Sequence, residues 1–130
     1  MKKITILLVI IFSFLFSTTS WGEWNLIPMG VGSKWYYDKD RVRKRGKFLY
    51  VWVLSDYSKP TESGYLSYVI YVQLECSILR FKNLKLQTYN KSMGEGKMTG
   101  DYTPPDKWSY PKPDSVIEFM LNKICEEFHP

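Results

Sequence analysis

The sequence predicts an α+β fold: a twisted antiparallel sheet of about six strands, packed by one C-terminal helix and stapled to it by a disulfide. Three observations carry this expectation. Apolar and aromatic residues recur with a period of two between residues 34 and 89, and from Val116 onward the period becomes helical. The two cysteines, Cys76 and Cys125, fall at inward positions of a strand and of that helix.

The elements follow in order. Residues 24–29 (WNLIPM) form a short β-like piece whose Pro28 suits an edge or an end. Residues 30–33 (GVGS) read as a turn, and residues 34–38 (KWYYD) as a second strand. Residues 48–55 (FLYVWVLS) make the clearest strand. Phe48, Tyr50, Trp52 and Leu54 lie on one face and Leu49, Val51 and Val53 on the other, so it is central and covered on both sides. A polar loop at 56–64 leads into a long strand over 65–76. There Tyr68, Ile70, Val72, Leu74 and Cys76 share a face, while Gln73 and Glu75 point the other way. In the next strand Leu79 and Phe81 are in one register and Leu84 and Leu86 in the other, which predicts a β-bulge at Lys82-Asn83.

Residues 91–114 are rich in Gly and Pro and read as loop with one short strand. Beyond them Val116, Ile117, Met120, Leu121, Ile124, Cys125 and Phe128 form one apolar helical stripe. Ser115 and Glu118 give a capping box, with Pro113 just before it. Cys125 lies on the stripe and Cys76 on the core face of its strand. Pairing them closes a loop of about 50 residues and contributes roughly 4 kcal/mol in the chain-entropy model; two separate buried thiols are the alternative.

The N-terminus reads as a secretory signal peptide. Lys2 and Lys3 precede an apolar run over residues 4–16 and the small polar residues Ser17, Thr18, Thr19 and Ser20. Thirteen helical residues rise about 20 Å against a hydrocarbon core of about 30 Å, so no transmembrane anchor is expected after cleavage, which can follow Ser20 or Gly22. With no cysteine before Cys76, lipid attachment at a processed N-terminus is not expected either. The domain plan is therefore residues 1–22 as signal peptide and 23–130 as a single domain, exported to the periplasm or cell surface of a Gram-negative-type bacterium. Removing Lys2 and Lys3 lowers the formal net charge from +5 to +3, too mild for a dedicated nucleic-acid binder.

Catalytic groups are scarce. His129, the only histidine, is next to last in the chain, and no thiol nucleophile remains if both cysteines are oxidised. Asp38 and Asp40 read as turn residues rather than a glycosidase pair. The acidic residues have no metal-loop spacing, and Gly94-Glu95-Gly96-Lys97 fails the phosphate-loop pattern at Lys91 and Met98. No enzyme, cofactor or metal site is expected.

One stretch offers a candidate binding patch. RVRKRGK places Arg41, Arg43, Lys44, Arg45 and Lys47 at a β connection, with Gly46 permitting the turn and Val42 as its inward anchor. Guanidinium groups beside aromatic rings suit acidic glycans or acidic protein patches, whereas a solvated turn is the plain structural role.

Taken in order, WNLIP, YYDKDRVRKRGKFLYVWVLSDY, YVQLECSILRFKNLKLQTY, MGEGK, KWSYPKPDS and LNKIC resemble the surface-adhesin protein E family of bacterial exported proteins, across residues 24–125. The resemblance implies the same sheet, helix and Cys76–Cys125 bridge. It also implies exposure at the cell envelope and adhesion to a host matrix protein. The expected function is a non-enzymatic envelope binding domain; a periplasmic structural or stress-related protein without an external ligand is the alternative. One helix covers only part of one sheet face. The aromatic face is therefore expected to curl on itself, to form a homodimer contact, or to serve as a ligand groove.

Overall fold

The computed structural model describes residues 23–28 and 33–128. The expected signal peptide, its cleavage sites, the 30–32 turn and His129 lie outside the described residues. Among those described, no helix is long and apolar enough to cross a membrane.

Among the described residues, seven strands form a single antiparallel sheet: β1 (Trp24–Ile27), β2 (Lys34–Asp38), β3 (Arg43–Arg45), β4 (Phe48–Asp56), β5 (Ser67–Glu75), β6 (Arg80–Tyr89) and β7 (Met98–Tyr102). Their order is β1-β2-β4-β5-β6-β7, with β3 beside β4, so nearly every strand pairs with its neighbour in sequence. One helix, α1 (Val116–Phe128), follows.

The strand beyond the expected six comes from the basic run itself. β2 flanks residues 53–56 of β4, and β3 flanks residues 48–50 of the same strand. Between them the chain steps out in a short 3-10 turn at Lys39–Arg41. Asp38 holds that turn, as its expected local role requires: its Oδ1 accepts the Asp40 N–H at 3.1 Å, and Arg41 Nε lies 3.5 Å from Oδ2. Val42 packs against the core and brings the chain back to the sheet. Arg45 pairs with Phe48, leaving a two-residue hairpin turn whose first residue, Gly46, has φ +60°. Such a turn needs left-handed backbone, which glycine adopts without steric cost.

Strand alternation builds the core on the helix side. Ile27, Tyr37, Leu49, Val51, Val53, Val72 and Leu74 meet Met120, Leu121 and Ile124 of α1, all of them buried. The Cys76–Cys125 disulfide closes over this core, with the Cα atoms 5.8 Å apart. Beside it the Tyr37 hydroxyl donates to the Glu127 carboxylate, Lys39 Nζ lies 3.0 Å from Glu127, and the Tyr37 and Phe128 rings meet edge to face at 6.3 Å. The C-terminal end of α1 is thus held by four contacts. Its N-terminal end is not. Val116 and Ile117, expected in the buried stripe, are 45% and 36% exposed. The capping box is also only half of the expected form. Ser115 Oγ accepts the Glu118 N–H at 3.1 Å, but the Glu118 carboxylate reaches the Asp114 N–H, because the Ser115 N–H is taken by the Lys112 carbonyl.

The opposite face has its own cover at one end. Leu54, Val69 and Tyr89 are buried there beneath Trp24, Tyr36, Trp52 and Met93. Met93 comes from the loop after β6, which Ser67 fixes from within the sheet: its hydroxyl donates to the Lys91 carbonyl at 2.6 Å and accepts the Gly94 N–H at 2.9 Å. Asp56 accepts the Met93 N–H at 2.9 Å. Loop insertion was not among the expected ways of covering this face. A thioether suits the task because it adapts to irregular gaps between rings.

Candidate functional site: an aromatic and basic sheet face

The rest of that face is built from alternate residues of three strands. β4 contributes Phe48, Tyr50 and Trp52, and β5 contributes Tyr71, Gln73 and Glu75. β6 contributes Arg80, Lys82 and Lys85, paired with Glu75, Gln73 and Tyr71 respectively. Lys82 and Lys85 are three residues apart yet lie on the same side. The bulge makes this possible: Asn83 pairs with Val72 and Lys85 with Tyr71, so Leu84 is the extra residue. The expected slip is present, displaced to Leu84 from Lys82-Asn83. Its effect is to place a lysine where an unbroken strand would put a leucine.

The rings form two stacks. Trp52 and Tyr71 lie 4.6 Å apart at 27°, with Tyr50 6.1 Å from Tyr71. Phe48 stacks with Trp108 at 5.7 Å and 23°. Trp108 arrives from the segment after β7, which is pinned to β6 by reciprocal backbone bonds between Phe81 and Ser109 of 2.9 and 2.8 Å. Cations lie over these rings: Arg45 over Tyr50 at 5.8 Å, Lys47 over Phe48 at 5.4 Å, and both Arg80 and Lys82 over Trp108 at 4.1 and 4.6 Å. The electron-rich ring faces attract the cations, and for Arg80 and Lys82 the partly buried setting strengthens that attraction.

Carboxylates fix the cations from below and from the side. Glu75, 4% exposed, accepts from Arg80 Nε at 3.1 Å and Nη2 at 2.9 Å, and Lys47 Nζ lies 3.8 Å away. Burial pushes the Glu75 carboxyl up, but the Arg80 hydrogen bonds and charge, with Lys47, more than reverse this and hold it below the ordinary carboxylate range. Lys82 pairs with the exposed Asp106 at 2.6 Å, and Lys85 with Asp101 at 3.0 Å. Five cations (Arg45, Lys47, Arg80, Lys82 and Lys85) therefore meet three carboxylates, and the surface keeps a positive excess.

The five residues singled out from RVRKRGK divide. Arg45 and Lys47 join the aromatic face. Arg43 shares its side of β3 but turns its Nη1 back to the Asp40 and Val42 carbonyls, both at 3.2 Å. Lys44 pairs with Leu49 and so points to the other side of the sheet, and Arg41 is engaged by Asp38. Sequence reasoning did not include Arg80, Lys82, Lys85 or Trp108. Arg80 and Lys82 had a usable signal, two cations at strand spacing opposite Glu75 and Gln73. Trp108 had none, because a loop residue's position depends on where the loop docks.

Three comparisons bear on this chain. Residues 24–126 match the family described as surface-adhesin protein E. Among solved structures, Haemophilus influenzae protein E superposes with a TM-score of 0.63 at 15% identity, covering 85% of this chain and 89% of that one. Protein E from non-typeable Haemophilus influenzae gives a TM-score of 0.64 at 13% identity, covering 86% of this chain and 80% of that one. No curated protein sequence matches at a significant level. At such identities the structural likeness speaks for the fold alone, and the family match spans nearly the whole described domain. With the antiparallel sheet, the C-terminal helix and the Cys76–Cys125 bridge all in place, this chain belongs to the surface-adhesin protein E family.

Proposed function

We propose that this protein is a non-enzymatic adhesin-type binding domain of the bacterial envelope. Its contact surface is the aromatic and basic face, and its ligand an acidic glycan or an acidic patch of a host matrix protein. The observation that carries the reading is the arrangement around Trp108, where Arg80 and Lys82 share one ring that also stacks on Phe48. Sulfate or carboxylate groups pair with the cations, while flat rings supply contact area at low entropic cost.

Titration onto immobilised heparin across a salt series tests this. Replacing Arg45, Lys47, Arg80 and Lys82 by alanine weakens binding and flattens the salt dependence, because fewer ion contacts form. Lys44→Ala, on the other side of the sheet, leaves both nearly unchanged. Equal loss from Lys44→Ala, or undiminished binding by the fourfold variant, overturns the assignment of this face. Sedimentation at high micromolar concentration addresses the competing use of the same rings. A dimer that hides Trp108 from solvent assigns the face to a homodimer instead.

A further inference from the structure

The sheet's other side holds a cavity of about 240 Å³ beneath the N-terminal turns of α1. It exists because α1 is clamped at one end only. The disulfide, Phe128 and the Tyr37–Glu127 contact seat the C-terminal half, while Ile117 stands partly clear of the sheet. Val53, Ile70 and Val72 form the floor, Trp35, Tyr68 and Phe81 the ring walls, and Ile117, Met120 and Leu121 the roof. Trp35 and Tyr68 brace each other edge to face at 5.9 Å. The lining contains no charged residue. Its one carboxamide is Asn83, set opposite Val72 on this face at the residue just before the bulge.

We propose that this cavity is a binding site for a small neutral aromatic molecule bearing one hydrogen-bonding group, of the phenol or indole class. Size sets the upper limit: a dry apolar cavity of about 150 Å³ accommodates benzene, so this one admits a single or fused pair of rings and nothing much larger. Chemistry sets the rest. Without a charged partner an ionised ligand loses its hydration uncompensated. A purely apolar ligand leaves the Asn83 amide desolvated, whereas an N–H or O–H donor satisfies its oxygen. The half-exposed Ile117 marks the mouth. The site is separate from the aromatic and basic face and does not depend on the function proposed for it.

The test is a titration of the folded protein with indole, read by methyl and backbone NMR shifts. Saturable shifts at Ile70, Val72 and Ile117 are expected, with a matching change in Trp35 fluorescence. Ile117→Trp closes the mouth from a position exposed enough to preserve the fold, and abolishes the shifts at unchanged melting temperature. Asn83→Leu weakens indole about tenfold, the loss of one hydrogen bond, and does not weaken toluene, which no longer has an amide to desolvate. The proposal fails if indole gives no saturable shift at these residues or shifts only the Trp52–Tyr71 face. It also fails if toluene and indole weaken equally in Asn83→Leu.

Discussion

Arg80 is held between Glu75 and Trp108: its Nη2 lies 2.9 Å from Glu75 Oε1, and its guanidinium carbon 4.1 Å from the centre of the Trp108 ring. The carboxylate fixes the plane of the guanidinium and the ring lies across it, so a group that would otherwise sample many rotamers is set in place before any ligand arrives.

Removing the ring should expose its role in binding. Trp108→Ala lowers heparin affinity about tenfold, within the range of a central aromatic contact, measured well below the melting temperature. The variant stays folded because Trp108 lies on a half-exposed segment rather than in the helix-side core. Unchanged affinity in this variant removes Trp108 from the contact surface.

Glu75 links this face to acid stability. Its folded-state pKa is lowered, so its contribution is complete above the ordinary carboxyl value of 4.5 and is lost as pH falls through the folded value. Urea unfolding at pH 7 and pH 3 checks the sign. Glu75→Gln is destabilised at pH 7, and its deficit against the parent is smaller at pH 3. A constant difference between the two proteins at both values contradicts the account.

The helix clamp yields two numbers. Cys76→Ser with Cys125→Ser loses about 4 kcal/mol by the loop-entropy relation, read as the drop in denaturant midpoint at constant slope. Tyr37→Phe, which removes the hydroxyl donated to Glu127, costs about 1 kcal/mol. The losses are expected to couple rather than add, because both act on the same end of α1.

Cellular position separates adhesin from periplasmic resident. An impermeant amine reagent applied to intact cells modifies the exposed Lys44 and Lys47 if the domain faces outward. Labelling only after outer-membrane permeabilisation supports a periplasmic structural role without an external ligand.

Much of the scaffold could be read from local pattern. The alternation at residues 48–55, the parity that turned Cys76 inward and the helical period from Val116 each depend on a side chain's direction relative to near neighbours. The register slip in β6 was visible for the same reason, because Phe81 and Leu86, on opposite parities, cannot share a face without an extra residue. The basic run was harder: its charges suggested a turn, but Val42 anchors it and β4 offers free backbone partners, so Arg43–Arg45 pairs as a strand.

By itself the amino-acid order determined the strand faces, the helix and the cysteine pair, since these follow from periods of two and 3.6 and from the number of thiols. Tertiary packing decided which cations meet which rings. Trp108 reaches Arg80, Lys82 and Phe48 only because its segment docks on β6, and Met93 covers the far end only because Ser67 and Asp56 hold its loop. These contacts join residues from 26 to 60 positions apart in the sequence. Their geometry is set by loop closure and by competition for the same sheet surface, and no local pattern encodes either.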